Sequence, residues 1–325
     1  MKAYQVTENG KPLKEKNFET PSPKGKEVLI KTIACGVCHS DVHIHDGYFD
    51  LGGGNKLPVG AMLNLPHTMG HEIEGIVASV GPDVTDIEIG SNVVAYPWIG
   101  CGKCATCKAG DEHYCNAPRQ LGIQLPGGFA DYCIVPDSKY VLDYEGIRPG
   151  LAATYMCSGL TAFGALKKFV NISDDDHILI MGLGGVGMMG LQFARALFNC
   201  KILAADIDPN KLQAAKGAGA DEVYDTSDEL SIKKLLEDTG GGVKATADFV
   251  GAEKTVQYSL DSTKKGGQVV VVGLFVFFQH YSCDSFFFAT VFVSLIIIST
   301  KICEPRHYFH QDLCCLLYTS PSPRD

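Results

Sequence analysis

The sequence predicts an α/β chain. A mostly β region covers residues 1–150, and a doubly wound parallel sheet covers residues 151–275. Three observations carry this reading: a glycine turn between two apolar runs, strand and helix patterns alternating after it, and short strands interrupted by cysteine clusters before it. The turn lies in Ile178–Asp206, ILIMGLGGVGMMGLQFARALFNCKILAAD, which reads as strand, tight turn, helix and strand. Gly182 lets the turn close, Gly184 lets backbone approach a pyrophosphate, and Gly187 lets the helix pack on the sheet. The helix begins at Gly185 and Val186, and its free N–H groups and positive dipole end favour an anion. Asp206 stands 24 residues beyond Gly182, at the end of the second strand. A carboxylate there takes both ribose hydroxyls and repels a 2′-phosphate, which favours NAD over NADP. An ordinary glycine-rich turn is the plainer alternative.

After Asp206 the alternation continues. Helices are expected at 210–217, 230–238 and 253–263, and strands at 221–224, 245–250 and 267–273, giving five parallel strands. Before residue 150 the apolar or alternating runs at 27–33, 74–80, 92–96 and 130–135 are separated by Gly, Pro and Asp turns, and helical periodicity is nearly absent. A chain of 325 residues with 46% hydrophobic content can hold two cores. Its net charge of −9 has no basic block to break it, which argues against a nucleic-acid partner. Met1–Gly10 is polar and lacks the apolar core of a signal peptide. Thirteen cysteines, partly at metal-ligand spacing, point to zinc in a reducing, cytoplasmic setting rather than to disulfides.

Two cysteine constellations differ in character. Cys101, Cys104, Cys107 and Cys115 have the spacing C-x2-C-x2-C-x7-C. Four thiolates in one short loop repel one another unless a cation holds them, and a closed tetrahedral zinc satisfies all four. An iron–sulfur cluster or unpaired thiols would draw on the same residues. The other constellation is dispersed: Cys38 with Ser40 and His43 in CGVCHSDVH, His71 and Glu72 in GHE, and Cys157 in YMCSGLTAFGAL. Two cysteines and a histidine leave one tetrahedral position open for chemistry, if the fold assembles them. Singly, a solvated loop histidine is the plainer alternative for His43, and a small buried side chain for Cys157.

CGVCHSDVH, GHE, the four-cysteine loop, MCSGLTAFGAL and GLGGVG, in this order, resemble the medium-chain, zinc-dependent alcohol dehydrogenases. Within that family the likeness is greatest to bacterial and archaeal NAD-dependent members, and it runs from Met1 to about Phe275. The resemblance implies a GroES-like β domain (1–150), a Rossmann domain (151–275), two zinc ions and NAD. It implies that Cys38, His71 and Cys157 bind a catalytic zinc, with Glu72 beside it, and that Cys101, Cys104, Cys107 and Cys115 bind a structural zinc. By the same resemblance Ser40 passes the alcohol proton toward His43, Asp41 orients His71, and His39 lies near the cofactor pyrophosphate. Asp206, Lys211 and Gly182, Gly184, Gly185, Val186 and Gly187 then serve the adenosine and pyrophosphate side of the cofactor. Trp98 would stand at the mouth of the substrate pocket, or serve as plain packing. The expected reaction is hydride transfer between a primary or secondary alcohol and NAD. A polyol or amino-alcohol dehydrogenase, or an impaired nucleotide-binding fragment, is the alternative. Full-length members of the family are homo-oligomers.

Beyond Phe275 the periodicity stops. The thirteen-residue apolar run 286–298 falls short of the ~17–25 residues of a membrane span, and a buried helix or strand fits it as well. Cys315–Asp325, CLLYTSPSPRD, resembles the translation of a sequencing-library adapter. Residues 276–325 are therefore expected to be a non-native read-through, leaving the Rossmann sheet incomplete after its fifth strand.

Overall fold

The run of apolar residues before the glycine turn forms the central strand His177–Met181, in which Ile178, Leu179, Ile180 and Met181 are all buried. Such a continuous run is what a parallel strand covered on both faces requires. The computed structural model describes residues 1–50, 54–60 and 63–273, and the backbone of one further strand, Phe292–Leu295. His177–Met181 lies between Lys201–Asp206 and Val243–Asp248; beyond these come Glu222–Asp225 on one side and Thr263–Val271, then Phe292–Leu295, on the other. All the pairings are parallel. Helices Gly185–Leu197, Pro209–Gly217, Ser231–Asp238 and Glu253–Ser262 form the connections. The strand order reverses beside His177–Met181, the switch point at which open α/β sheets bind ligands.

Two expectations need correcting here. The fifth strand begins at Thr263, directly after the helix, and not at Gly267; a register shift between Val243 and Ala245 accommodates the extra residues. The sheet also does not stop at five strands, because Phe292–Leu295 pairs with Gln268–Val271 as a sixth. A period test misses such a strand, since short apolar runs in parallel sheets carry no alternation. The rest of the segment expected to be read-through, 276–325, including the adapter-like Cys315–Asp325, lies outside the described residues.

The described chain separates into two compact units, one holding residues 1–49 and 56–160 and the other residues 50, 54–55, 161–273 and 292–295. In the first unit an antiparallel sheet runs in the order Val141–Asp143, Asn92–Ala95, Glu72–Val80, Val28–Gly36, Tyr132–Val135. Val28, Ile30, Ile73, Val77, Val93, Ala95 and Val135 fill its core. A smaller sheet joins Lys14–Asn17, Lys2–Val6 and His67–Thr68. One helix in this unit has no clear sequence signal. His39–Asp46 buries only Asp41 and Ile44, too little for a periodic apolar face. It is specified by its ends, with Cys38 and Asp41 forming a reciprocal capping box and Gly47 closing it at φ +87°. Among the described residues no helix is long and apolar enough to cross a membrane.

Asp176 ties the entry of the central strand to the fifth. It is buried and accepts hydrogen bonds from Ser173 N–H (2.9 Å), Ser173 Oγ (2.8 Å) and Lys264 Nζ (2.6 Å). Burial raises its pKa, but the Lys264 and Ser173 bonds outweigh that and hold it at about 2. The folded pKa is below the unfolded one, so the stabilisation is complete above the ordinary carboxylate range and is lost as pH falls toward about 2. Asp176→Asn is expected to cost about 1–2 kcal/mol at pH 7 by urea unfolding, with the difference from wild type shrinking to about half by pH 3.

Candidate active site and metal centres

The register between the two longest strands of the first unit sets the site. Gly36 stands opposite Glu72, so Cys38 and His71 leave neighbouring strands at the same end. Cys157 arrives from a different direction, within a helical stretch over residues 152–166. Its central residues, Tyr155–Gly159, form a π turn, a feature that often marks functional positions. The sequence places Cys157 at the start of a helix, whereas the structure puts it inside this turn.

Ligand atoms of Cys38, His71 and Cys157 all lie within 4.8 Å of one another. The Cys38 and Cys157 sulfurs are 3.8 Å apart, the edge of a tetrahedron with Zn–S bonds of about 2.3 Å. His71 is wholly buried; its Nδ1 pairs with Asp41 Oδ1 at 3.2 Å, while its Nε2 is buried without any hydrogen-bond partner. Asp41 Oδ2 accepts the Cys38 N–H at 2.9 Å, so one carboxylate holds both the loop of Cys38 and the ring of His71. The electrostatics call for positive charge at this point. The hydrogen bond from Cys157, and then His71, bring the Cys38 thiol down to about 3, while Cys157, donating to Cys38 and buried, is raised well above the usual thiol range. Burial opposes a proton on His71, but Asp41 and Cys38 outweigh it and lift the ring to about 10. The orphaned ring nitrogen, the tetrahedral sulfur spacing and the demand for charge together fit a zinc ion.

Glu72 lies alongside. Its Oε1 accepts from Ser158 Oγ (2.9 Å) and Ser158 N–H (3.3 Å), and its Oε2 is buried without a partner. Burial, then the Cys38 charge, push its pKa up to about 7. A Cβ at position 36 would strike Glu72 Oε2, so only glycine leaves the carboxylate its place. Ser40 is half-buried in the first turn of His39–Asp46. One turn on, His43 stacks on His39 with ring centroids 4.6 Å apart and meets Phe49 at 5.0 Å. Trp98 is buried; its indole N–H donates to Met156 O (3.0 Å), and its ring centroid is 5.7 Å from that of His71.

Cys101, Cys104, Cys107 and Cys115 converge separately, with sulfur separations of 3.9 Å (101–107), 3.4 Å (104–107) and 3.8 Å (104–115). Backbone N–H groups of Cys104, Cys107, Ala117 and Cys101 point at these sulfurs at 3.3–3.4 Å, the donors that thiolates attract. N–H groups of Lys103 and Cys104 lower Cys101 to about 6, whereas burial, then Cys104, raise Cys107 to about 12. Four thiolates this close repel one another, and a divalent cation offsets that repulsion. Glu112 anchors the loop through Tyr140, Lys139 and Gly100 N–H.

In the second unit Gly182 has φ +83°, and a Cβ on Gly187 would lie on Gly182 O. A Cβ on Gly184 would meet nothing within 4 Å, and Gly184 caps Gly185–Leu197 with no side-chain hydrogen bond. Among the described residues nothing crowds that position. Asp206 Oδ2 accepts Leu183 N–H at 2.6 Å, and Lys211 Nζ lies 3.7 Å from the same oxygen.

Sequence reasoning missed Ser158, Gly36 and Glu74. Glu74 is fully buried and accepts from Tyr144 O–H and from Gly150 and Ala153 N–H. The available signal was an acid two residues after Glu72 in an otherwise apolar strand.

Comparison with known proteins identifies the family. The family profile for the alcohol dehydrogenase GroES-like domain matches residues 24–145, and that for zinc-binding dehydrogenase matches residues 185–309, running past Phe275. The chain is 39% identical over 285 residues to an NAD-dependent alcohol dehydrogenase of Saccharolobus solfataricus, covering 86% of this chain and 80% of that protein. It is 38% identical over 277 residues to the corresponding protein of Sulfurisphaera tokodaii, covering 85% and 79%. The crystal structure of the alcohol dehydrogenase of Aeropyrum pernix superposes with a TM-score of 0.80 at 27% identity, covering 93% of this chain and 86% of that one. The chain belongs to the zinc-binding alcohol dehydrogenase family.

Asp41→Asn leaves the side chain's size but weakens its bonds to His71 and Cys38. It should lower divalent-metal affinity about 10–100-fold, read by Co2+ titration of the full-length chain.

Proposed function

We propose that this chain interconverts a primary or secondary alcohol with its aldehyde or ketone, using NAD and a zinc ion held by Cys38, His71 and Cys157. The observation that carries this is the meeting of those three side chains, from positions far apart in sequence, with the His71 Nε2 left unbonded beside two sulfurs. When bound, the zinc acidifies an alcohol hydroxyl or polarises a carbonyl, and NAD takes or returns hydride.

The chain's own groups do the rest. Asp41 fixes the tautomer and angle of the His71 ring, leaving Nε2 free to bind metal. Glu72, held by Ser158, keeps a carboxylate beside the ligand set. Ser40 Oγ takes the hydroxyl proton, and His43, stacked on His39, delivers it to solvent. Cys101, Cys104, Cys107 and Cys115 hold a second zinc that is structural, because no position is left over for a substrate. The pyrophosphate of NAD sits on the uncapped helix end at Gly184–Gly187. Asp206 takes the ribose hydroxyls beside Lys211 and disfavours a 2′-phosphate. The site requires reduced thiols, which supports a cytoplasmic location, and nothing in the acidic chain suits nucleic acid.

Metal analysis with turnover tests this. The purified chain is expected to carry two zinc ions, one for each cluster. Cys104→Ser should reduce this to one and lower the melting temperature. Cys38→Ser should also leave one, keep the melting temperature near wild type and abolish NAD-linked alcohol oxidation. Unchanged turnover in Cys38→Ser would refute the assignment. Ser40→Ala should lower kcat about 10²–10⁴-fold with both metals in place.

A further inference from the structure

The strand that delivers His71 also grips the segment that delivers Cys157, and it does so at two points. Glu72 and Glu74 are two residues apart on Glu72–Val80, so their side chains share a face. Both are fully buried. Glu72 takes hold of Ser158, immediately after Cys157. Glu74 takes hold of the other end. Its Oε1 accepts from Tyr144 O–H (2.6 Å) and Gly150 N–H (2.9 Å), and its Oε2 from Gly150 N–H (3.0 Å) and Ala153 N–H (3.3 Å).

Gly150 and Ala153 open the helical stretch that contains Cys157. The residue in the N-cap position, Leu151, offers no side-chain acceptor. Glu74 therefore does an N-cap's work from a neighbouring strand, with its negative charge at the positive end of the helix. A buried carboxylate is costly unless donors surround it, and a small apolar residue would fill a strand position without that cost. Ala153 lies about one helical turn before Cys157, so a shift at Ala153 is passed along the helix to the sulfur.

We propose that Glu74 is a positioning residue for Cys157. It fixes the depth and rotation of residues 152–159 against the strand that leads from His71, and so sets the distance from the Cys157 sulfur to Cys38 and His71. This inference rests on the zinc reading above.

The test compares Glu74→Ala and Glu74→Gln with wild type in the full-length, metal-loaded chain, following metal loss to a chelator and the thiolate-to-metal absorption of the Co2+ form. Glu74→Ala should release the metal at Cys38, His71 and Cys157 about tenfold faster or more and shift its Co2+ absorption. The metal of the four-cysteine loop, an internal control, should leave at the wild-type rate. Glu74→Gln retains one acceptor oxygen and should recover part of the loss. If both variants release the first metal at the wild-type rate, the proposal fails, whatever happens to the melting temperature. If Glu74→Ala does not fold, Glu74→Gln decides on the same criterion. A wild-type chain with no metal sensitive to Cys38→Ser would instead sink the zinc reading, and the role of Glu74 with it.

Discussion

Two thiol sulfurs and an imidazole nitrogen crowded into a buried space cannot be neutral bystanders. The Cys38 and Cys157 sulfurs cannot both ionise at 3.8 Å without compensation, so the pair divides into one thiol driven down and one driven up, with His71 drawn toward its cation. The surrounding carboxylates, Asp41 and Glu72, add to the demand for positive charge. A zinc ion meets it at one point, replacing protons that would otherwise be shared among several groups.

Such a constellation survives only if backbone elements hold it, and the antiparallel pairing of Val28–Gly36 with Glu72–Val80 is the frame. It brings the Cys38 loop and His71 to one end of the sheet. Asp41 then links the two from the first turn of the short helix. The third ligand enters through the 152–166 stretch, whose π turn places Cys157 and its neighbour Ser158 both toward the strand. Trp98 adds a bond to Met156 O. Polar contacts of this kind cost little when complete and much when one partner is removed.

What could be read in the sequence was what local spacing encodes. The four-cysteine loop closes within fifteen residues, so its spacing alone announces a metal site. The glycine turn and Asp206 also declare themselves, because a strand, a helix start and a second strand fix their mutual geometry. The dispersed set was legible only through family likeness: nothing local in Cys38, His71 or Cys157 says that they meet. Glu74, Ser158 and Gly36 were invisible for the same reason, since their partners are supplied by packing. His39–Asp46 hid because its ends, not an apolar stripe, specify it. The sixth strand hid because an unbroken apolar run suits helix and buried strand alike.

The contact between Gly36 and Glu72 has an evolutionary consequence. Any side chain at 36 would occupy the space of the Glu72 carboxylate. The two positions therefore share one volume, and a larger residue at the first becomes tolerable only after a smaller one has appeared at the second. The two sites are coupled through that volume, and the glycine is held in place by a side chain on the neighbouring strand rather than by any turn of its own.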